Sequence, residues 1–178
     1  MAPDQNPHFV GHDDTIAELK DFFKSSQHVN RVALYGIGGV GKTQCAVRYC
    51  RSIEGETHVL WADAHHSSSL KASFGNIAKV LGLKQPKDKL SDPSTAVIEW
   101  LQRNNRWLLV FDNVDDLTTI QSYLPSEGRH DNEMSGSNVV SRSVLLRTRD
   151  SAMVGSEVIP FGVEVNYSVR MMQFGHLY

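Results

Sequence analysis

Apolar residues along this chain fall into two alternating kinds of stretch, short unbroken runs and longer segments where they recur every three or four positions. The unbroken runs are Val32-Ala33-Leu34-Tyr35, His58-Val59-Leu60-Trp61-Ala62-Asp63-Ala64, Arg106-Trp107-Leu108-Leu109-Val110-Phe111-Asp112 and Val144-Leu145-Leu146. Runs of this length, rich in β-branched and aromatic residues, predict buried strands. A last strand is predicted to include Val158-Ile159.

The spaced stretches predict helices. Ile16, Leu19, Phe22 and Phe23 line one side of a segment that Asp13 or Asp14 can cap and that ends near Lys24–Ser26. Gln44–Tyr49 belongs to a second helix, before a break at Gly55. Leu70, Phe74, Ile77, Ala78 and Leu81 mark a third, with Ser67–Ser69 as its cap and Gly82 as its stop. After a polar loop over residues 84–93, Ser94 or Thr95 opens a fourth through Val97, Ile98, Trp100 and Leu101. A short helix is predicted over 115–124. Strands alternating with helices predict an α/β protein with a mainly parallel five-stranded sheet, helices on both faces, and its site at the C-terminal edge of the strands.

The remaining segments read differently. Residues 1–8 are polar, with Pro3 and Pro7, and predict a flexible N-terminus; residues 9–160 form the domain. From Pro125 a long turn-rich polar stretch has little core potential, and 129–142 reads as an inserted loop. The tail over 161–178 shows no clean period.

Composition narrows the function classes. The 178 residues suffice for one α/β domain and are short for two. With 40% apolar and 21% charged residues the chain is an ordinary soluble globule, and a net charge of −2 gives no broad affinity for nucleic acid or an anionic membrane. No apolar run reaches membrane-spanning length. The start lacks a basic-then-apolar signal and the Met-Gly of myristoylation, so the expected location is cytoplasmic. Cys45 and Cys50 stand five apart on one helix, on different faces, and read as small buried thiols rather than a disulfide.

The chemistry concentrates directly after the first strand. Gly36-Ile37-Gly38-Gly39-Val40-Gly41-Lys42-Thr43 fits G-x-x-x-x-G-K-[ST], a pattern that arises by chance in roughly one chain of this length in a few hundred. Glycines let the backbone curl and turn its N–H groups on an oxyanion, and the helix beginning near Lys42 adds the positive end of its dipole. Lys42 supplies a cation for the β- and γ-phosphates, and the Thr43 hydroxyl is a hard ligand for Mg²⁺. About seventy residues later, a continuous apolar run ends in Asp112, placed to hold that Mg²⁺ through water. Together they predict a P-loop NTPase fold that binds a nucleotide with Mg²⁺, the motifs themselves not choosing adenine over guanine.

In order, Phe9-Val10-Gly11-His12-Asp13, GIGGVGKT, Val59-Leu60-Trp61, LLVFDNVDD and LLRTRD resemble the NB-ARC family of STAND-class signalling ATPases, over roughly residues 9–160. The resemblance implies a signal-transduction switch of the kind found in innate immunity and cell death. It places Val10 and Gly11 on the adenine side of the nucleotide, where the family usually follows the glycine with Arg and this chain has His12. It places Gly36, Gly38, Gly39, Val40, Gly41, Lys42, Thr43 and Gln44 around the phosphates, and Thr43 and Asp112 at the metal. Arg149 matches the arginine that senses the γ-phosphate, although Arg147 stands where the family has Thr. Lys42, Asp112 and Arg149 are therefore the candidate catalytic residues.

Turnover is expected to be slow. Many active ATPases carry a carboxylate directly after the metal aspartate; here Asn113 can position a water but not take its proton, while Asp115 and Asp116 stand near enough in sequence to substitute. The family also continues into helical and winged-helix modules that clamp the nucleotide, and none is legible here. The resemblance thus implies a domain truncated after its nucleotide-binding core, with weaker binding than in a full-length relative and self-association only where such modules are present.

The competing readings are an autonomous small ATPase or kinase, with 129–149 as its lid, and a fragment without function. His65-His66 reads as a solvated strand end rather than a metal site. The arginines at 142, 147 and 149 suit an anion at the nucleotide better than nucleic acid. Trp61, Trp100 and Trp107 read as core residues.

Overall fold

The computed structural model describes residues 2–24, 30–36, 38–83, 92–125, 142–148 and 169–173. The elements are α1 (Asp13–Lys24), β1 (Asn30–Tyr35), α2 (Lys42–Ser52), β2 (His58–Asp63), α3 (Ser67–Val80), α4 (Pro93–Arg103), β3 (Trp107–Val114), α5 (Leu117–Ile120) with a 3-10 turn at Gln121–Tyr123, β4 (Arg142–Thr148) and β5 (Val169–Gln173). All paired strands run parallel, in the order β2-β3-β4-β1-β5. The α/β architecture and five-stranded parallel sheet expected from the alternation are present.

Two apolar layers sandwich that sheet, and the strands alternate between them as their period of two requires. Trp107, Leu109 and Phe111 of β3 pack with Phe74 of α3 and Val97 and Leu101 of α4. Leu108 and Val110, between them, pack on the other face with Leu19 of α1 and Val47 of α2. Burial on both faces explains why β3 reads as an unbroken apolar run. The chain slips register between Phe111 and Val114, and Asn113 takes φ 61°. This bulge puts Val114 back into the α3/α4 layer beside Phe111, where strict alternation would have put Asn113.

Three local expectations change. The third helix begins at Ser67 with His66 as its N-cap and no side-chain cap, so the serines lie inside its first turn. The fourth opens earlier than Ser94: Asp92 caps it by accepting from the Ser94 N–H at 3.0 Å, with Pro93 at its first position. The helix expected over 115–124 is a four-residue turn of α-helix continued as 3-10. The strand predicted at Val158-Ile159 falls outside the described residues. Instead β5, from the tail that showed no period, pairs with β1 from Arg31↔Val169 to Tyr35↔Gln173.

Near the other end, residues 4 and 6 of the stretch expected to be flexible are joined to α2. Gln44 Nε2 donates to the Asp4 carbonyl at 3.2 Å, and its Oε1 accepts from the Asn6 N–H at 2.7 Å. Both cysteines are buried free thiols against the α1 side, and their desolvation pushes each up to about 12. Among the described residues, no helix is long and apolar enough to cross a membrane.

Candidate functional site

The loop after β1 is shaped by its glycines. Gly39 has φ 81° and Gly41 φ 96°, and a side chain at Gly41 would bring its Cβ to 2.8 Å from the Phe9 ring. Gly41 is also the N-cap of α2, whose first closed turn is the Cys45 N–H to Gly41 carbonyl bond at 2.8 Å. The N–H groups of Thr43 and Gln44 precede that closure, at the helix start that opens on the loop. Gly38 and Gly39 are exposed, and a Cβ on either would meet nothing within 4 Å. The loop is therefore an open cradle of donors. Ile37 falls outside the described residues.

Lys42 is buried, with only 2% of its surface exposed, and its Nζ donates to the Gly36 carbonyl at 2.6 Å. Its cation lies across the cradle, where a phosphate oxygen can replace that carbonyl. Thr43 and Val40 are half-buried.

The N-terminal segment leans on the same turn. Gly11 (φ 81°) and His12 (φ 60°) bend the chain into α1, and the Phe9 and His12 rings stack at 5.6 Å and 10°. His12 Nε2 is 3.6 Å from where a Cβ on Gly41 would sit. Arg48 of α2 ties this bend down, donating to the Gly11 carbonyl at 2.9 Å and to Asp13 Oδ1 at 2.7 Å. Val10 stays 78% exposed beside the loop. Sequence reasoning had Val10, Gly11 and Gln44 at the nucleotide; Gln44 spends its side chain on residues 4 and 6, leaving its backbone N–H for a phosphate.

Asp112 is buried at the far side of the site, with Oδ1 accepting from the Asn113 N–H at 3.0 Å. The strand register fixes its position. Ala33 pairs with Leu146, and Leu146 with Phe111, so Asp112 stands level with Leu34, two strands from the loop that follows Tyr35. Two strand spacings are about 10 Å. Hard oxygens from Asp112 and Thr43, the Lys42 cation and an open donor cradle are a chemical fit to a nucleotide's phosphates with Mg²⁺. The ion would be held at Thr43 and Asp112, and it would neutralise charge on the phosphates. β4 ends at Thr148 between the loop strand and Asp112's strand; Arg149, the residue after it, falls outside the described residues.

The carboxylates suggested as substitutes near Asn113 are occupied elsewhere. Asp116 accepts from the Thr118 N–H at 2.8 Å and hydroxyl at 2.6 Å, and these bonds, the hydroxyl's first, hold its carboxyl below the usual range. Asp115 faces His65 Nδ1 at 3.1 Å. Sequence reasoning missed Asp63, which ends β2 as the register partner of Asp112 and accepts from Asn113 Nδ2 at 3.3 Å. Its signal was a second strand that also closes on a carboxylate.

A glycine-curled loop between a strand and a helix, a buried lysine over it, and an aspartate two strands away define a P-loop NTPase domain. More particularly, the chain belongs to the AAA domain family, whose model matches residues 14–135. It is 31% identical over 137 residues to a nucleotide-binding leucine-rich repeat (NLR)-like protein of Hyaloscypha variabilis, covering 70% of this chain and 13% of that protein. In fold it is similar to Cdc6p from Pyrobaculum aerophilum, with TM-score 0.60 at 16% identity over 98% of this chain and 47% of that one. It is also similar to Drosophila ORC bound to DNA, with TM-score 0.52 at 11% identity, 91% of this chain and 29% of that one. The chain thus spans well under half the length of the NLR-like relative and less than two thirds of either structure's chain.

Proposed function

We propose that this chain is an NB-ARC-type switch domain that binds ADP or ATP with Mg²⁺ in the cytoplasm and hydrolyses ATP slowly or not at all. The observation that carries the reading is Lys42 lying across the Gly36–Gly41 cradle, 2.6 Å from the Gly36 carbonyl. The bound phosphates would take over that ammonium, and the N–H groups opening α2 would hold their oxygens. Asp112 and Thr43 would hold the Mg²⁺. Arg149 would sense the γ-phosphate, and Val10 and Gly11 would flank the adenine. The NLR-like relative supports a signalling role, although 13% of its length is too little to bring its partners along.

Slow hydrolysis follows from Asn113, whose amide accepts no proton at neutral pH. Calorimetric titration with ADP, ATP and GDP, with and without Mg²⁺, tests the binding reading. Tighter binding of both adenine nucleotides than GDP is expected, with phosphate release below about 1 s⁻¹, the low end of ordinary enzymes. Equal affinity for GDP would remove the adenine assignment, and faster release would remove the switch reading in favour of an ATPase.

A further inference from the structure

We propose that Asp63, at the end of β2, is the proton acceptor for the water that attacks ATP in this chain, in place of the carboxylate that Asn113 does not supply. The inference rests on the nucleotide reading above and assigns a residue to its hydrolytic step. Three observations carry it. The first is register: Asp63 and Asp112 are direct partners on adjacent strands, so both carboxylates leave the sheet at the edge where the phosphate cradle sits. The second is the bulge after Asp112. Asn113 adopts φ 61°, and its amide reaches sideways to Asp63 Oδ1 at 3.3 Å. The residue after the metal aspartate therefore holds a neighbouring carboxylate.

The third is how Asp63 itself is held. Oδ1 also accepts from the His65 N–H at 3.2 Å, and the Asp63 N–H is anchored on the Ser73 hydroxyl at 3.1 Å. Two donors on Oδ1 fix the carboxylate, while Oδ2 takes no hydrogen bond among the described residues and is left to accept. Asp63 is half-buried, so water reaches it. The other acids near this edge are engaged: Asp116 by Thr118 and Asp115 by His65.

The step balances without another reactant. Water oxygen bonds to the γ-phosphorus as the bond from that phosphorus to the β–γ bridging oxygen breaks. One water proton passes to Asp63 Oδ2, and ADP leaves with the bridging electrons. Asp63 lies one strand beyond Asp112 as seen from the loop, on the side of Asp112 away from β1.

The test uses the full chain and two separate readouts, Mg-ATP affinity by calorimetry and single-turnover phosphate release with enzyme in excess. Asp63→Asn is expected to keep its ATP affinity while release falls by about 100-fold, the low end of what a positioned proton acceptor contributes. Asp63→Glu restores part of the rate, and Asn113→Gly, which tolerates the φ and deletes the amide, slows release with binding intact. Asp115→Asn leaves release unchanged. A cooperative thermal transition in each variant shows that it folds, and if Asp63→Asn does not fold, Asn113→Gly and Asp63→Glu decide. Wild-type release with unchanged affinity in the variants overturns the assignment of Asp63 alone, as does a wild-type chain that binds ATP and releases no phosphate. A wild-type chain that binds no nucleotide overturns the reading beneath it.

Discussion

Lys42 and Gly36 close the phosphate loop on itself: the ammonium donates to the carbonyl at 2.6 Å, six residues back, from a side chain only 2% exposed. A buried cation that donates to a loop carbonyl can exchange that carbonyl for a phosphate oxygen. Lys42→Ala is therefore expected to leave the sheet and helices in place and to weaken nucleotide affinity. Losing a hydrogen bond to a charged group costs about 1.5–3 kcal/mol, which is roughly 10- to 100-fold in Kd. Thermal unfolding with and without Mg-ADP reads this out: at the same ligand concentration the ligand-induced rise in Tm should be smaller in the variant.

Gly41 makes a sharper prediction because two costs meet there. Any side chain must accept φ 96° and must also displace the Phe9 ring, 2.8 Å from its Cβ. Gly41→Ala is expected to destabilise by about 1–3 kcal/mol from the backbone alone. Phe9→Leu in the same chain relieves the contact but not the backbone cost, so the double variant should recover only part of the loss in denaturant unfolding. Full recovery would mean that the turn is not held left-handed.

Asp92 gives a pH dependence with a definite sign. The Ser94 N–H, its largest influence, holds the carboxyl below its ordinary 3.8. Its contribution to stability is therefore fully present above that ordinary value and is lost as pH falls through the lower folded value. Asn caps a helix as well as Asp but does not titrate. Thermal scans at pH 7 and pH 3 should show wild type losing more stability on acidification than Asp92→Asn. Parallel losses would place the pH dependence elsewhere.

The buried thiols predict a chemical result. Burial pushes Cys45 and Cys50 up to about 12, so little thiolate exists at neutral pH. Neither should react with an alkylating reagent in the folded chain at pH 8, and both should react in denaturant. Fast labelling of either in the native state would contradict the packing of α2 against α1.

The phosphate loop and β3 were legible in the sequence for a physical reason: each is a local pattern. The loop needs glycines and a lysine at fixed spacing, and β3 needs every residue apolar because both of its faces are covered. The start of α4 was misread because Asp92-Pro93 looks like the tail of a polar loop, although the same pair is a good helix opening. β5 was invisible because Val169-Arg170-Met171-Met172-Gln173 is a short edge strand whose partner lies 138 residues upstream in the register Arg31↔Val169. The partnership of Asp63 with Asp112 was missed for the same reason: the two carboxylates meet only once β2 and β3 pair, and the Asn113 bulge that links them has no signature along the chain.

The measurement closest to the central claim is the Mg²⁺ dependence of ADP affinity in wild type and in Asp112→Asn. A carboxylate two strands from the cradle should matter through the metal. Mg²⁺ is expected to tighten ADP binding in wild type and to have little effect in the variant, while the two chains bind metal-free ADP alike. The same Mg²⁺ enhancement in both, or no ADP binding by wild type at all, would contradict a nucleotide gripped between the loop and Asp112.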